Sequence, residues 1–194
     1  MIYFYLLSGL FLGWSLGGNH TANVFGTAVA SKMVRFKTAA FICSVFVVLG
    51  CVFGGAGTSA TLKSLGAVNA MAGAFVVTLA AGLSVYWMTK LKLPVSTSQA
   101  IIGAILGWNL FSHSTTDFHS LTIIVSSWAE AIVLTAVISA LLYLVIRAVL
   151  KKSRIHILRL DSLTRIGLII VGAFGAYSLG ANNIANVMGV FVPV

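Results

Sequence analysis

Neutral hydrogen-bonding residues gather at three points of an otherwise apolar chain. Directly after Pro94 come Ser96, Thr97, Ser98 and Gln99. Serine and threonine after proline mark a helix start, where backbone N–H groups lack intrahelical acceptors and the dipole favours negative charge. With hydroxyl and amide donors added, the run suits a small oxyanion held by neutral groups. Capping of a helix at a membrane interface is the competing reading. The other two points are copies of one twelve-residue motif, SLGGNHTANVFG at 15–26 and SLGANNIANVMG at 178–189. Each places glycine and asparagine where an apolar helix would continue, and each offers backbone and amide donors again. Packing of helices through small residues is the alternative use of such a motif.

Two ionisable groups fall within apolar stretches, His20 in the first motif and Glu130 beside Trp128. Ionisable side chains inside a membrane are costly and mark functional sites by default. A histidine titrates near neutral pH, so His20 could carry a coupling proton. A neutral histidine bonded into a helix bundle and an interfacial carboxylate are the alternatives. The chain has no phosphate loop, CxxC pair, HExxH or nucleophile elbow, so nothing in it argues for an enzyme.

The elements that must position these groups follow from composition. Of 194 residues, 59% are hydrophobic and 8% charged, and the mean hydropathy is +1.06. A soluble domain carries roughly a quarter charged residues, so this chain must turn apolar surface to lipid. Its apolar runs are long and continuous rather than alternating, which excludes a β-barrel and predicts an all-α, polytopic membrane protein. Spans are expected at 1–16, 38–57, 67–88, 121–149 and 164–180. The motifs interrupt the first and last, as broken helices whose irregular backbone would line a cavity. Segment 95–110 is shorter than the ~20 residues of a full span and is expected as a re-entrant or half-length helix. Cys43 and Cys51 share one apolar run and read as small buried hydrophobes. The N-terminal run lacks a basic leader and cleavage site and is expected as a retained helix.

Charge sets the orientation. The 12 lysines and arginines cluster at 32–37, 90–92 and 147–165, with Lys63 alone elsewhere. If 95–110 carries the chain across, all three clusters share one side, which is then cytoplasmic. The net charge of +9 is thereby a topology signal, and nucleic-acid binding is not needed to explain it. The two motifs would then lie on antiparallel helices, as in inverted-repeat transporters whose sites sit at paired interruptions. Residues 1–160 form the first repeat, and 161–194 open the second. Because five residues follow the second motif, the chain is expected to be incomplete, with a missing C-terminal half or partner chain.

The motifs resemble those of the inorganic phosphate transporter (PiT) family. GGNHTANVFGT and GANNIANVMG are similar to its duplicated GANDxANxxG signature, LPVSTSQAIIGAILG to its PVSTTHAIVGAIIG segment, and VSSWAEA stands where it has SW-x-x-SP. The resemblance implies an ion-coupled permease for inorganic phosphate, multi-pass in the cell's inner or plasma membrane, with no cofactor beyond a coupling H+ or Na+. It carries anion-site roles onto Ser96, Thr97, Ser98, Gln99, Asn19, Asn23, Asn182 and Asn186. The chain departs from the pattern where the family has an aspartate in each signature. Here His20 and Asn183 stand, while Val47 replaces a glutamate and Glu130 a serine. His20, Asn183 and Glu130 are therefore the coupling-ion candidates. With both aspartates gone, no firm metal site is expected and protons are favoured over sodium. A sulfate or other oxyanion permease of the same fold, or a non-transporting membrane subunit, are the other readings, and a homodimer is one assembly left open.

Overall fold

The computed structural model describes residues 2–55, 71–153 and 155–191, so Lys63, Asn69 and Arg154 lie outside the described residues. Six helices are present among them: α1 (Ile2–Ala30), α2 (Phe36–Gly54), α3 (Met71–Lys90), α4 (Thr97–Ser112), α5 (Phe118–Lys152) and α6 (Ile157–Met188). Of these, α2, α3 and α5 are long and apolar enough to cross a membrane. The all-α membrane class is thus what the chain forms. At 16 residues, α4 rises only ~24 Å, the half-length helix expected after Pro94. It folds back on α3 as a hairpin.

The expected helix breaks are absent. Both α1 and α6 run unbroken through their motifs, over 29 and 32 residues. Glycine costs a helix about 1 kcal/mol, but the polar side chains here return hydrogen bonds to their own helix. Thr21 Oγ1 donates to the Gly17 carbonyl at 2.7 Å, and Asn183 Nδ2 donates to the Leu179 carbonyl at 2.9 Å. Since α6 begins at Ile157, the expected boundary at 160/161 falls within its first turn.

Packing aligns the helices in pairs. Ser8 Oγ and Thr78 Oγ1 lie 2.5 Å apart, and Asn19 Nδ2 donates to Thr89 Oγ1 at 3.2 Å, so α1 and α3 run parallel. Contacts of Gly9 with Phe191 and of Gly172 with Phe25 make α1 and α6 antiparallel. The two motif-bearing helices therefore do oppose each other. Leu12, Val77, Val85, Ile101 and Ile105 fill the core between α1, α3 and α4.

The closest approach joins α2 to α6, which also run parallel. A Cβ on Gly50 would collide with the Tyr177 carbonyl, and one on Gly180 with the Val47 carbonyl. Here the glycines remove side chains so that two backbones can meet. Cys51 Sγ donates to the Gly180 carbonyl at 3.3 Å across the same seam. Cys43 is buried beside Phe25 and Ala176.

Two predictions follow from these contacts. Gly180→Leu and Gly50→Leu each overpack the seam and should destabilise the detergent-solubilised protein by at least about 1–3 kcal/mol, read as a lowered thermal midpoint. Outside the apolar spans, Asp117 caps α5. Its carboxylate accepts from Ser120 Oγ at 2.7 Å and from the backbone N–H groups of His119 and Ser120 at 2.9 and 3.3 Å. These bonds, that of the Ser120 hydroxyl foremost, hold the carboxyl below its ordinary value. A depressed carboxylate stabilises above its unfolded pKa, and the contribution is lost as pH falls through the folded one. Protection of the His119 and Ser120 amides from exchange, relative to their intrinsic rates at each pH, should fall only at that acid end, and Asp117→Ala should remove it at every pH.

Candidate functional site

Helix geometry on α6 and the start of α4 builds one buried polar junction. Asn183 and Asn186, three residues apart, share a face of α6, and that face meets the first turn of α4. Thr97 Oγ1 donates to Asn183 Oδ1 at 3.0 Å. Asn186 Nδ2 donates to the same Oδ1 at 3.1 Å and to Ser98 Oγ at 3.0 Å. Thr97, Asn183 and Asn186 are 2, 6 and 4% exposed, so these bonds form where unpaired polar atoms would be expensive. Ser96 caps the helix, its Oγ accepting from the Gln99 backbone N–H at 3.3 Å. Position in the first turn leaves the Thr97 and Ser98 backbone N–H groups without intrahelical acceptors.

Beside this junction lies a cavity of about 460 Å3 lined by Gly18, Asn19, Asn23, Thr89, Lys92, Leu93, Pro94, Val95 and Ser96. Lys92 is its one charged lining residue, held in the turn between α3 and α4 with φ of 58°. The cavity thus joins first-motif amides to the capping serine under a single cation. A small oxyanion there would meet an ammonium, neutral amides and the N-terminal end of a helix, all favourable to negative charge.

Of the expected site residues, the fold gathers Thr97, Ser98, Asn183 and Asn186 at the junction and Asn19, Asn23 and Ser96 at the cavity. Asn182 is exposed. It sits one residue, about 100° of helix, off the Asn183–Asn186 face. Asn183 thus stands in the hydrogen-bond network and Asn182 outside it. Gln99 and the three acidic residues, Asp117, Glu130 and Asp161, are exposed, and no acidic residue lines the cavity. His20 Nδ1 is buried with no partner among the described residues. Among the described residues no three His, Cys, Asp or Glu converge to hold a metal. Thr89 and Lys92 were not expected at the cavity. A polar residue closing an otherwise apolar span is the available signal for Thr89, and Lys92 carries only a topology signal in the sequence.

The family model described as "Phosphate transporter family" matches residues 16–160. A relative from Methanocaldococcus jannaschii is 30% identical over 186 residues, 96% of this chain and 58% of its own length. The sodium-dependent phosphate transporter 1 of Mus musculus is 32% identical, over 71% of this chain and 22% of its own. The sulfate permease CysP of Bacillus subtilis is 30% identical, over 96% of this chain and 53% of its own. The chain therefore spans little more than half, or less, of these relatives. A solved structure, "The sodium-dependent phosphate transporter", superposes with a TM-score of 0.80 at 20% identity, covering 98% of this chain and 67% of that one; it shows the shared fold.

This difference between the two asparagines is testable. Asn183→Leu strands the Thr97 hydroxyl and the Asn186 amide and should cost about 1–3 kcal/mol, whereas Asn182→Leu should leave the thermal midpoint nearly unchanged. Differential scanning fluorimetry of the two variants side by side checks both.

Proposed function

Since this chain belongs to the phosphate transporter family, we propose that it forms the substrate-binding part of an ion-coupled permease for inorganic phosphate. The junction of Thr97, Ser98, Asn183 and Asn186 beside the Lys92 cavity carries this reading. Phosphate near neutral pH still bears a proton, so it both donates and accepts hydrogen bonds. Hydroxyl and carboxamide groups do the same, and the carboxamide oxygen of a cavity residue such as Asn23 can accept that proton's bond. Sulfate only accepts. A site with built-in acceptors thus favours phosphate over sulfate. The similarity to a sulfate permease over 96% of the chain keeps sulfate as the competitor to test.

The two motifs, on antiparallel helices, are read as corresponding parts of an inverted repeat, with the substrate between them. For coupling, His20 is the candidate proton carrier, because it adjoins the cavity residue Asn19 and its Nδ1 has no partner among the described residues. Sodium is the second reading, favoured by relatives named sodium-dependent. Exposed on α5, Glu130 is the weaker proton candidate.

Uptake of labelled phosphate into proteoliposomes, with sulfate as competitor and sodium and proton gradients imposed separately, tests the proposal. Thr97→Ala and Ser98→Ala should each lower kcat/KM roughly 5- to 30-fold, as expected for losing about 1–2 kcal/mol of hydrogen bonding. Lys92→Gln should raise KM more than it lowers kcat. Uptake driven by protons and abolished in His20→Ala supports proton coupling. Uptake driven by sodium alone and indifferent to His20→Ala replaces it, and sulfate uptake that excludes phosphate overturns the substrate.

A further inference from the structure

Thr89, in the last turn of α3, stands at the cavity beside Asn19 of α1. Two hydrogen bonds meet at its hydroxyl. Thr89 Oγ1 donates to the Val85 carbonyl at 2.7 Å, and Asn19 Nδ2 donates to Thr89 Oγ1 at 3.2 Å. A hydroxyl has one hydrogen to give and two lone pairs with which to receive. With that hydrogen given to its own helix, Thr89 can meet Asn19 only as an acceptor. It therefore takes the N–H edge of the carboxamide and leaves the carbonyl edge free.

A carboxamide is planar, so a bond at one edge decides what the other edge offers. Asn19 Nδ2 is turned to Thr89, and Asn19 Oδ1 accepts no hydrogen bond from the described residues. Asn19 lines the cavity together with Lys92 and Ser96, so the edge left for a ligand there is an acceptor. Turning the amide over would set two oxygens against each other or make Thr89 release Val85. Either way one hydrogen bond is lost, which favours the observed orientation roughly 2- to 12-fold. Asn23, also at the cavity, is exposed, and no hydrogen bond from the described residues fixes its amide. Asn19 is thus the cavity carboxamide whose orientation the fold sets.

The other attractive groups at the cavity do not discriminate. The Lys92 ammonium and the start of α4 draw in any small oxyanion, protonated or not. A fixed carbonyl oxygen does discriminate. It opposes an anion oxygen that bears only lone pairs, and it bonds one that carries a hydrogen. Phosphate keeps such a hydrogen near neutral pH. Sulfate has none, and neither has monofluorophosphate, in which fluorine replaces the hydroxyl.

We propose that Thr89 is a positioning residue for substrate choice. By holding the Asn19 amide with its oxygen towards the cavity, it makes the site prefer an oxyanion that carries a proton. The proposal rests on the reading of this cavity as the phosphate site and adds the residue that sets its selectivity. Thr89 acts through Asn19.

Inhibition of labelled phosphate uptake by sulfate and by monofluorophosphate, in proteoliposomes at one pH near neutrality, tests this. The informative quantity is each inhibition constant divided by the KM for phosphate. Thr89→Val keeps the shape of the side chain but cannot accept a hydrogen bond, so the amide is free to turn its N–H edge to the cavity. Both ratios should then fall roughly 2- to 12-fold. Thr89→Ser, which retains the hydroxyl, should restore the parent's ratios. A merely structural role would lower uptake without moving either ratio. Unchanged ratios in Thr89→Val overturn the proposal, as do Thr89→Ser ratios that match those of Thr89→Val. Should Thr89→Val fail to fold, Asn19→Leu removes the acceptor itself and should lower both ratios at least as far. Unchanged ratios there also refute the proposal. A parent protein that takes up neither phosphate nor sulfate defeats the transport reading, and the proposal with it, before any substitution is made.

Discussion

One constraint governs the molecule: a polar group taken out of water in a helical membrane protein must find its partner within the protein. The Asn183 carboxamide meets that constraint three ways at once. It gives a hydrogen to its own helix at Leu179 and accepts from Thr97 and Asn186. Because the acceptors and donors come from two helices far apart in sequence, satisfying the amide fixes the start of α4 against the C-terminal part of α6. The polar junction is thus a structural tie next to the cavity, whose lining residue Ser96 caps the same helix. Its first-turn N–H groups are held at a defined place because the tie holds their helix.

Backbone proximity supplies the second tie. At Gly50 and Gly180 the α2 and α6 backbones touch with no room for a methyl group. Without a hydrophobic driving force between helices in lipid, such close dispersion contact is one of the few terms that bring spans together. The glycines therefore act on the faces that meet, and an unbroken helix presents those faces best. Long apolar α5 contrasts with this. Apart from half-buried Ser120 and from Leu121, Ile124 and Trp128, which reach the core, its residues are exposed and carry no such seam.

How much of this was legible in the chain differs by level. Hydropathy and run length were enough for the all-helical membrane class, and Pro94 with Ser96 was enough for the start of α4 to within two residues. Orientation of the two motif helices followed from where lysine and arginine fall. Their continuity was not legible, because glycine and asparagine carry opposite meanings in one dimension. They can break a helix or let it pack, and only the presence of α2 across from Gly180 decides. The same ambiguity hid the site's inner face. Asn182 and Asn183 are neighbours in sequence, but α6 turns one outward and one onto Thr97, a distinction fixed by the direction from which α4 arrives.

The neutrality of the junction has an electrostatic consequence. A carboxylate about 4 Å from a bound anion would oppose it by roughly 4 kcal/mol at an effective dielectric near 20, unless a bound cation compensated. Here His20 and Asn183 occupy the places where the resemblance leads one to expect aspartates, and the three acidic side chains of the chain are exposed elsewhere. An oxyanion in the Lys92 cavity would therefore meet no opposing charge from the described lining residues. Binding is then free to proceed by hydrogen bonding, with Lys92 adding attraction at the lining. Among the described residues, the polar groups that the junction and cavity bring together are neutral oxygens and amides with Lys92 beside them, and the hydroxyl and amide groups of the junction are the ones that hold α4 against α6.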